Sequence, residues 1–271
     1  MAVTAFQRDV CRLIAGRLRA SGERYVAGGV ALNVAVDGAR LSRDIDLFHD
    51  TTEALNASWR QDVDLLTQHG IEVTIVRDAE GIKEAVARHA GHELLLQWTR
   101  DSAFRFFPLV GHEELGLTLH PFDLATNKVL ALVGRLEPRD WVDVLECDGR
   151  IQPLGYLAWA ACGKDPGFSP TSLLAEARRS GRYSQDELRE LDFVGAPPDA
   201  AQLGARWHGI LKKADTIVAA LSGQPVGTCV LEASGQLCSL PGAEIAGAVS
   251  RAELQFHKGT IRGSVPAVTR R

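Results

Sequence analysis

The segment from Tyr25 to Phe48 constrains this chain more than any other. Tyr25-Val26-Ala27 has the composition of a short strand, Gly28-Gly29 that of a tight turn, and Val30 to Val36 that of a short helix stopped by Asp37-Gly38. After Ser42, the run Arg43-Asp44-Ile45-Asp46-Leu47-Phe48 alternates polar and apolar residues, so it reads as a strand with Asp44 and Asp46 on one face. Side chains at i and i+2 of a strand leave with Cα atoms roughly 7 Å apart, and two carboxylates that close repel each other unless a cation lies between them. A hard divalent ion such as Mg²⁺ is commonly held this way, by one or two carboxylates and the phosphates of a substrate. A glycine turn opening a helix offers bare N–H groups and a helix N-terminus to a phosphate. Two plainer readings stay open: a solvated edge-strand face for the Asp pair, and an ordinary positive-φ turn at Gly28.

At 271 residues the chain is long enough for one large domain with an appendage or two modest ones. No stretch approaches the roughly 18 consecutive apolar residues of a membrane span, so no membrane partner is expected. The first twenty residues interrupt their apolar positions with arginine, an amphipathic pattern unlike a signal peptide. The formal charge of -4 advertises no global basic field for nucleic acid. A local basic patch remains at the end, where Arg251, Lys258, Arg262, Arg270 and Arg271 face Glu253. The five cysteines, Cys11, Cys147, Cys162, Cys229 and Cys238, form no C-x-x-C pair and are odd in number. A reducing, cytoplasmic setting is the expectation.

Phe6, Val10, Leu13, Ile14 and Leu18 predict a first amphipathic helix ending before Ser21-Gly22, and Leu55, Trp59, Val63 and Leu66 another. Strands are predicted at Ile71 to Val76 and Glu93 to Thr99, with a polar helix or loop between them. Past residue 110 the pattern turns helical: Asp123 to Val133, Arg139 to Cys147, Leu154 to Cys162, a helix opened by Ser169-Pro170, a capping box at Ser184 and Glu187, and Ala200 to Leu221. From Gly223 the helix signals fade, leaving two β-like runs, Thr228 to Ser239 and Glu253 to Val265.

Lys128 stands on an otherwise apolar helix beside Asn127, a place compatible either with reaching a triphosphate or with a snorkelling surface lysine. Asp140 and Asp143 share a helix face, where an acidic first turn alone would account for them. His92-Glu93 and His112-Glu113 do not complete H-E-x-x-H, and neither a G-x-S-x-G elbow, a dinucleotide fingerprint nor a P-loop is present.

Taken together, the segments VAGGVALNVAVDGARLSRDIDLF, HPFDLATNKVLALVGR and EPRDWVDVL resemble the nucleotidyltransferase-like AbiEii/AbiGii toxin family, within the polymerase-β-type nucleotidyltransferase superfamily. The resemblance covers roughly residues 20 to 185. It implies an α+β nucleotidyltransferase fold, a mixed sheet flanked by helices. The expected domains are a core over 1–110, a helical domain over 111–222, and a small β-rich appendage over 223–271. It further implies transfer of a nucleoside monophosphate from a nucleoside triphosphate to an acceptor, with Asp44 and Asp46 holding Mg²⁺. Gly28, Gly29 and Ser42 would line the phosphates, Lys128 would neutralise the triphosphate, and Asp140 would position Lys128 or the acceptor. A tRNA acceptor and a cognate antitoxin are the implied partners. A small-molecule acceptor, or a module that binds a triphosphate without transferring it, are the alternatives. The chain departs from the pattern at Gln97, which stands where a third carboxylate is expected and cannot act as a base; Asp101 is the nearest substitute by sequence.

Overall fold

The computed structural model describes residues 3–266, apart from the side chains of residues 18–21. An amphipathic helix α1 (Ala5–Ser21) leads into β1 (Arg24–Ala27), α2 (Gly28–Ala35), β2 (Asp44–His49) and α3 (Thr52–Gln68). Val10, Ile14 and their neighbours form the buried face of α1 as their spacing predicts; Leu18 lies outside the described side chains. There follow β3 (Glu72–Ala79), β4 (Ile82–His89), β5 (His92–Arg100), β6 (Phe104–Arg105), β7 (Val110–His112) and β8 (Gly116–Thr118).

The segment expected as a polar helix or loop is β4. Alanine, glutamate and arginine suggest helix there, but Ala85 and Ala87 supply the small buried positions of a strand. Glycine turns at Gly81 and Gly91, both with positive φ, let the chain double back twice. Seven strands form one mixed sheet in the order β3-β4-β5-β2-β1-β8-β7, with β2 parallel to β5 and antiparallel to β1. The sheet therefore continues past residue 110 to Thr118.

One face of the sheet is covered by α3, where Trp59 meets Trp98 of β5 edge-on with ring centroids 4.9 Å apart. Beneath this contact Asp62 is buried and accepts hydrogen bonds from Arg24 and from Trp98 Nε1 at 2.9 Å. Ile45 and Leu47 of β2 point into this side, leaving Asp44, Asp46 and Phe48 on the other.

Helices α4 (Pro121–Arg135), α5 (Pro138–Arg150), α6 (Leu154–Ala161), α7 (Pro170–Ala177), α8 (Gln185–Arg189) and α9 (Ala200–Ala220) follow. The capping boxes at Ser169 and Ser184 are both formed. The last part contains β9 (Thr228–Glu232), β10 (Leu254–Lys258) and β11 (Thr260–Ile261) as expected, and also α10 (Gly242–Ser250), which the sequence reading left out. Its Gly-Ala-Glu-Ile-Ala-Gly-Ala-Val-Ser composition is poor in large apolar residues, so only Ile245 and Ala248 mark a buried stripe.

This region does not hang free. β11 pairs with β6, and Gly242 of α10 sits so close to Thr216 of α9 that a Cβ would lie 2.7 Å from its backbone. Among its basic residues, Arg251 is bonded to Glu253 and Arg262 to Glu23, while Arg270 and Arg271 lie outside the described residues. All five cysteines are buried and free.

Candidate active site

Four strands bring one residue each to a single row across the open face: Ala27 of β1, Asp46 of β2, Gln97 of β5 and Glu84 of β4 are register partners in turn. The neighbouring rows are Asp44 with Leu95, and Tyr25 with Phe48 and Thr99. A cavity of about 810 Å³ opens over this face, walled on the far side by α4 and the start of α5. Gly28, Gly29, Ser42, Asp44, Asp46, Gln97 and Lys128 all line it.

The glycine pair is dictated by close approach. Gly28 has a φ of +63°, and a Cβ on it would fall 1.6 Å from Asp46 Oδ2. A Cβ on Gly29 would fall 2.4 Å from Ser42 Oγ. The bare backbone thus lets the carboxylate and the hydroxyl lie against the N-terminus of α2. Ala27 provides no side-chain cap there, so the N-cap residue itself does not take up the first N–H groups. Ser42 Oγ donates to Asp44 Oδ1 at 2.6 Å, and Gln7 of α1 holds the Ser42 carbonyl at 2.6 Å.

Asp46 has a pKa raised to about 6, first because it is buried and then because Asp44 lies beside it, with Lys128 pulling the other way. A positive charge placed beside the pair would relieve this repulsion and favour the ionised form. Among the described residues no group of three or more His, Cys, Asp or Glu is arranged around a metal position. The donors that are present, two carboxylates and the neutral oxygen of Gln97, suit a Mg²⁺ ion completed by substrate phosphates and not by a protein cage.

Lys128 is only 8% exposed, which removes the surface-lysine reading. Its Nζ lies 3.0 Å from Asp140 Oδ1 and 3.0 Å from Asp143 Oδ2. Burial works to lower its pKa; Asp143 and Asp140 more than reverse this, and the lysine stays charged. Asp140, fully buried, also accepts both Nε and Nη2 of Arg135, at 3.1 and 2.9 Å. Burial opposes charge on Asp143 as well, yet Lys128 and Arg40 depress its pKa. The cluster holds three cations, Arg40, Lys128 and Arg135, against two carboxylates, Asp140 and Asp143, so one positive charge is left to face the cavity.

Arg40, Arg135, Asp143 and Glu84 are the residues to which the sequence reading gave no part in the site. For Arg40 a signal existed, since it lies two positions before Ser42 in the motif segment; for Glu84 there was none, because only the strand register brings it near. Gln97 does occupy the place beside Asp46, and its Nε2 donates to Glu84 Oε1 at 3.0 Å. A carboxylate can only accept, so this contact fixes the amide and leaves Oε1 as the atom open to the cavity. Asp101 is committed elsewhere: it accepts from Tyr25 Oη at 3.0 Å and from the backbone of Ser102, and it lines a separate, smaller cavity.

No family model and no curated protein matches the chain. Solved structures do match. JHP933 from Helicobacter pylori is similar over 79% of this chain and 92% of its own, with a TM-score of 0.55 at 16% identity. MenT4, the nucleotidyltransferase toxin Rv2826c of Mycobacterium tuberculosis H37Rv, is similar over 76% of this chain and 80% of its own, with a TM-score of 0.54 at 15% identity. The mixed sheet, the helices flanking it and the extent of these matches establish that this chain has a nucleotidyltransferase fold.

Proposed function

We propose that the protein is a nucleotidyltransferase that moves a nucleoside monophosphate from a triphosphate to an acceptor, and that it acts as the toxin of a toxin–antitoxin pair with tRNA as acceptor. The observation that carries the reading is the meeting of Asp44 and Asp46 with Gly28 on one side of a single cavity and Lys128 on the other. In the reaction an acceptor hydroxyl attacks the α-phosphorus and gives up its proton to solvent water as the new P–O bond forms, the bond to the bridging oxygen breaks and pyrophosphate leaves. The α2 N-terminus binds the phosphates beside Ser42, whose hydroxyl holds Asp44, and Lys128 and Arg135, held by Asp140, neutralise the charge that builds on the departing pyrophosphate. Asp44 and Asp46 would hold Mg²⁺, which when bound supplies further neutralisation at the α-phosphate and the attacking oxygen. Gln97 Oε1 orients the acceptor hydroxyl by accepting its hydrogen bond; as a neutral amide it does not take the proton.

A second reading, a module that binds a triphosphate without transferring it, is favoured by one observation: the Asp46 row has an amide where a base would stand. Purified protein incubated with Mg²⁺, each α-labelled triphosphate and total RNA separates the two. A labelled band of tRNA size, lost with EDTA and with Asp44→Ala/Asp46→Ala, is the expected result. Label on a small molecule in a metabolite extract would move the acceptor, and binding without any label would favour the module. A cytoplasmic setting and a protein antitoxin belong to the same proposal; no helix among the described residues is long and apolar enough to cross a membrane.

A further inference from the structure

Past Phe48 the main cavity borders a smaller one of about 230 Å³, and Phe48, Asn127 and Leu130 line both. Phe104, Lys164, Asp101 and Ser102 complete the smaller one. None of these residues has a part in phosphate binding or metal binding as derived above.

Asn127 Oδ1 lies 2.7 Å from Lys164 Nζ. An ammonium group only donates, so the chemistry of this contact fixes the amide: oxygen toward Lys164, nitrogen away from it. Asn127 Nδ2 then has no hydrogen-bond partner among the described residues and stands as an unused donor in the wall shared by the cavities. Lys164 is itself immobilised, 2.8 Å from Asp123 Oδ1 and 3.2 Å from the Asp123 carbonyl. Asp123 is fully buried and accepts the backbone N–H groups of Phe106 and Phe107 at 2.9 and 3.0 Å. The donor is therefore aimed by a buried network.

Opposite polarity appears on the sheet side. Phe48 is half-buried, flanked across the strand pair by the near-parallel ring of Tyr25 at 17°, and lines the cavity. Phe104 faces the same space, held by its pairing with Ile261 and by its contact with the bare Cα of Gly259, where a Cβ would fall 2.4 Å from the ring. The one cation there, Lys164, is neutralised by Asp123, and Asp101 adds a negative charge, so the space repels phosphate. Aromatic walls with a single fixed neutral donor match a flat ligand that carries ring nitrogens or carbonyl oxygens.

We propose that this smaller cavity is a nucleobase subsite, with the base lying on Phe48 and accepting a hydrogen bond from Asn127 Nδ2. The inference rests on the nucleotidyl-transfer reading and adds to it the place where a base is read. The base comes either from the triphosphate or from the end of the acceptor strand; the chemistry of the subsite is the same.

The test is equilibrium binding of the four nucleoside triphosphates, inorganic tripolyphosphate and short single-stranded RNAs to wild type, Phe48→Leu and Asn127→Ala. Both variants should lose about tenfold in affinity for the preferred triphosphate, the order expected for one base stack, with tripolyphosphate affinity unchanged as proof of an intact phosphate site. Unchanged triphosphate affinity with a similar loss for RNA would also support the subsite and assign it to the acceptor. Variants that bind every ligand as wild type does, or that lose tripolyphosphate in equal proportion, would overturn the inference. If wild type binds neither triphosphates nor tripolyphosphate, the nucleotidyltransferase reading itself falls and takes the subsite with it.

Discussion

Arg40 and Asp143 lie 103 residues apart in the chain and meet as a bidentate pair, Nε to Oδ1 at 2.7 Å and Nη2 to Oδ2 at 2.8 Å, with both side chains buried. The pair ties the loop before β2 to α5 and so sets the distance between the carboxylates and the lysine helix.

Arg40→Ala removes one partner from this pair and leaves Asp143 to Lys128 alone. Breaking a buried ion pair by deleting one member costs about 3 kcal/mol or more, because the remaining charge stays desolvated. The urea midpoint should fall accordingly, and triphosphate affinity with it. An unchanged midpoint would mean that Lys128 suffices to compensate Asp143.

Gly28→Ala and Gly70→Ala form a matched test of the glycine turn. Both residues have positive φ, +63° and +74°, so each substitution should lower stability by about 1–2 kcal/mol. Only at Gly28 does the new Cβ collide with Asp46; at Gly70 it meets nothing within 4 Å. The collision adds to the φ cost at Gly28, so the thermal melt of Gly28→Ala should shift further than that of Gly70→Ala, and Gly28→Ala loses transfer activity while Gly70→Ala keeps it. Equal activities would detach Gly28 from the site.

Glu84→Ala releases the amide of Gln97 to rotate. Triphosphate affinity should hold, since Glu84 does not line the main cavity, while the transfer step slows by about tenfold through misorientation of the acceptor. Glu84→Gln retains an acceptor oxygen for Gln97 Nε2 and should recover most of the rate. A fall in triphosphate affinity instead would place Gln97 on the phosphate side.

His49 gives a pH dependence of defined sign. Burial, and next Arg24, lower its pKa from 6.5 to about 4, and its Nε2 is buried without a partner among the described residues. The unfolded chain therefore binds a proton between pH 6.5 and 4 that the folded chain refuses. His49 costs nothing above pH 6.5, and stability is lost as pH falls through that window, by up to about 3 kcal/mol. Asp46, with its raised pKa, acts in the opposite sense, so the diagnostic is a comparison of wild type with His49→Gln. The variant should show the shallower loss on going from pH 7 to pH 4.5 in denaturant titrations; parallel curves would remove His49 as the cause.

The sequence by itself determined most of what depends on near neighbours along the chain. The alternation in Asp44-Ile45-Asp46-Leu47 put both carboxylates on one strand face, Gly28-Gly29 marked the turn, and Ser169 and Ser184 marked helix starts, because strand pleat, φ and capping are local properties. The helical spacing around Lys128 located its helix, but both the exposed and the buried environment were compatible with it. Burial of that lysine was decided by Asp140 and Asp143 arriving from α5, and a desolvated charge is tolerated only where such partners converge. Strand β4 escaped notice because alanines as small inward residues look helical until a neighbouring strand pairs with them. Strand register then placed Glu84 beside Gln97, chain return placed Lys164 beside Asn127, and these contacts alone set which atom each amide offers to a ligand. The polarity of an amide in a cavity is a tertiary property, since it follows from the charge of the group behind it.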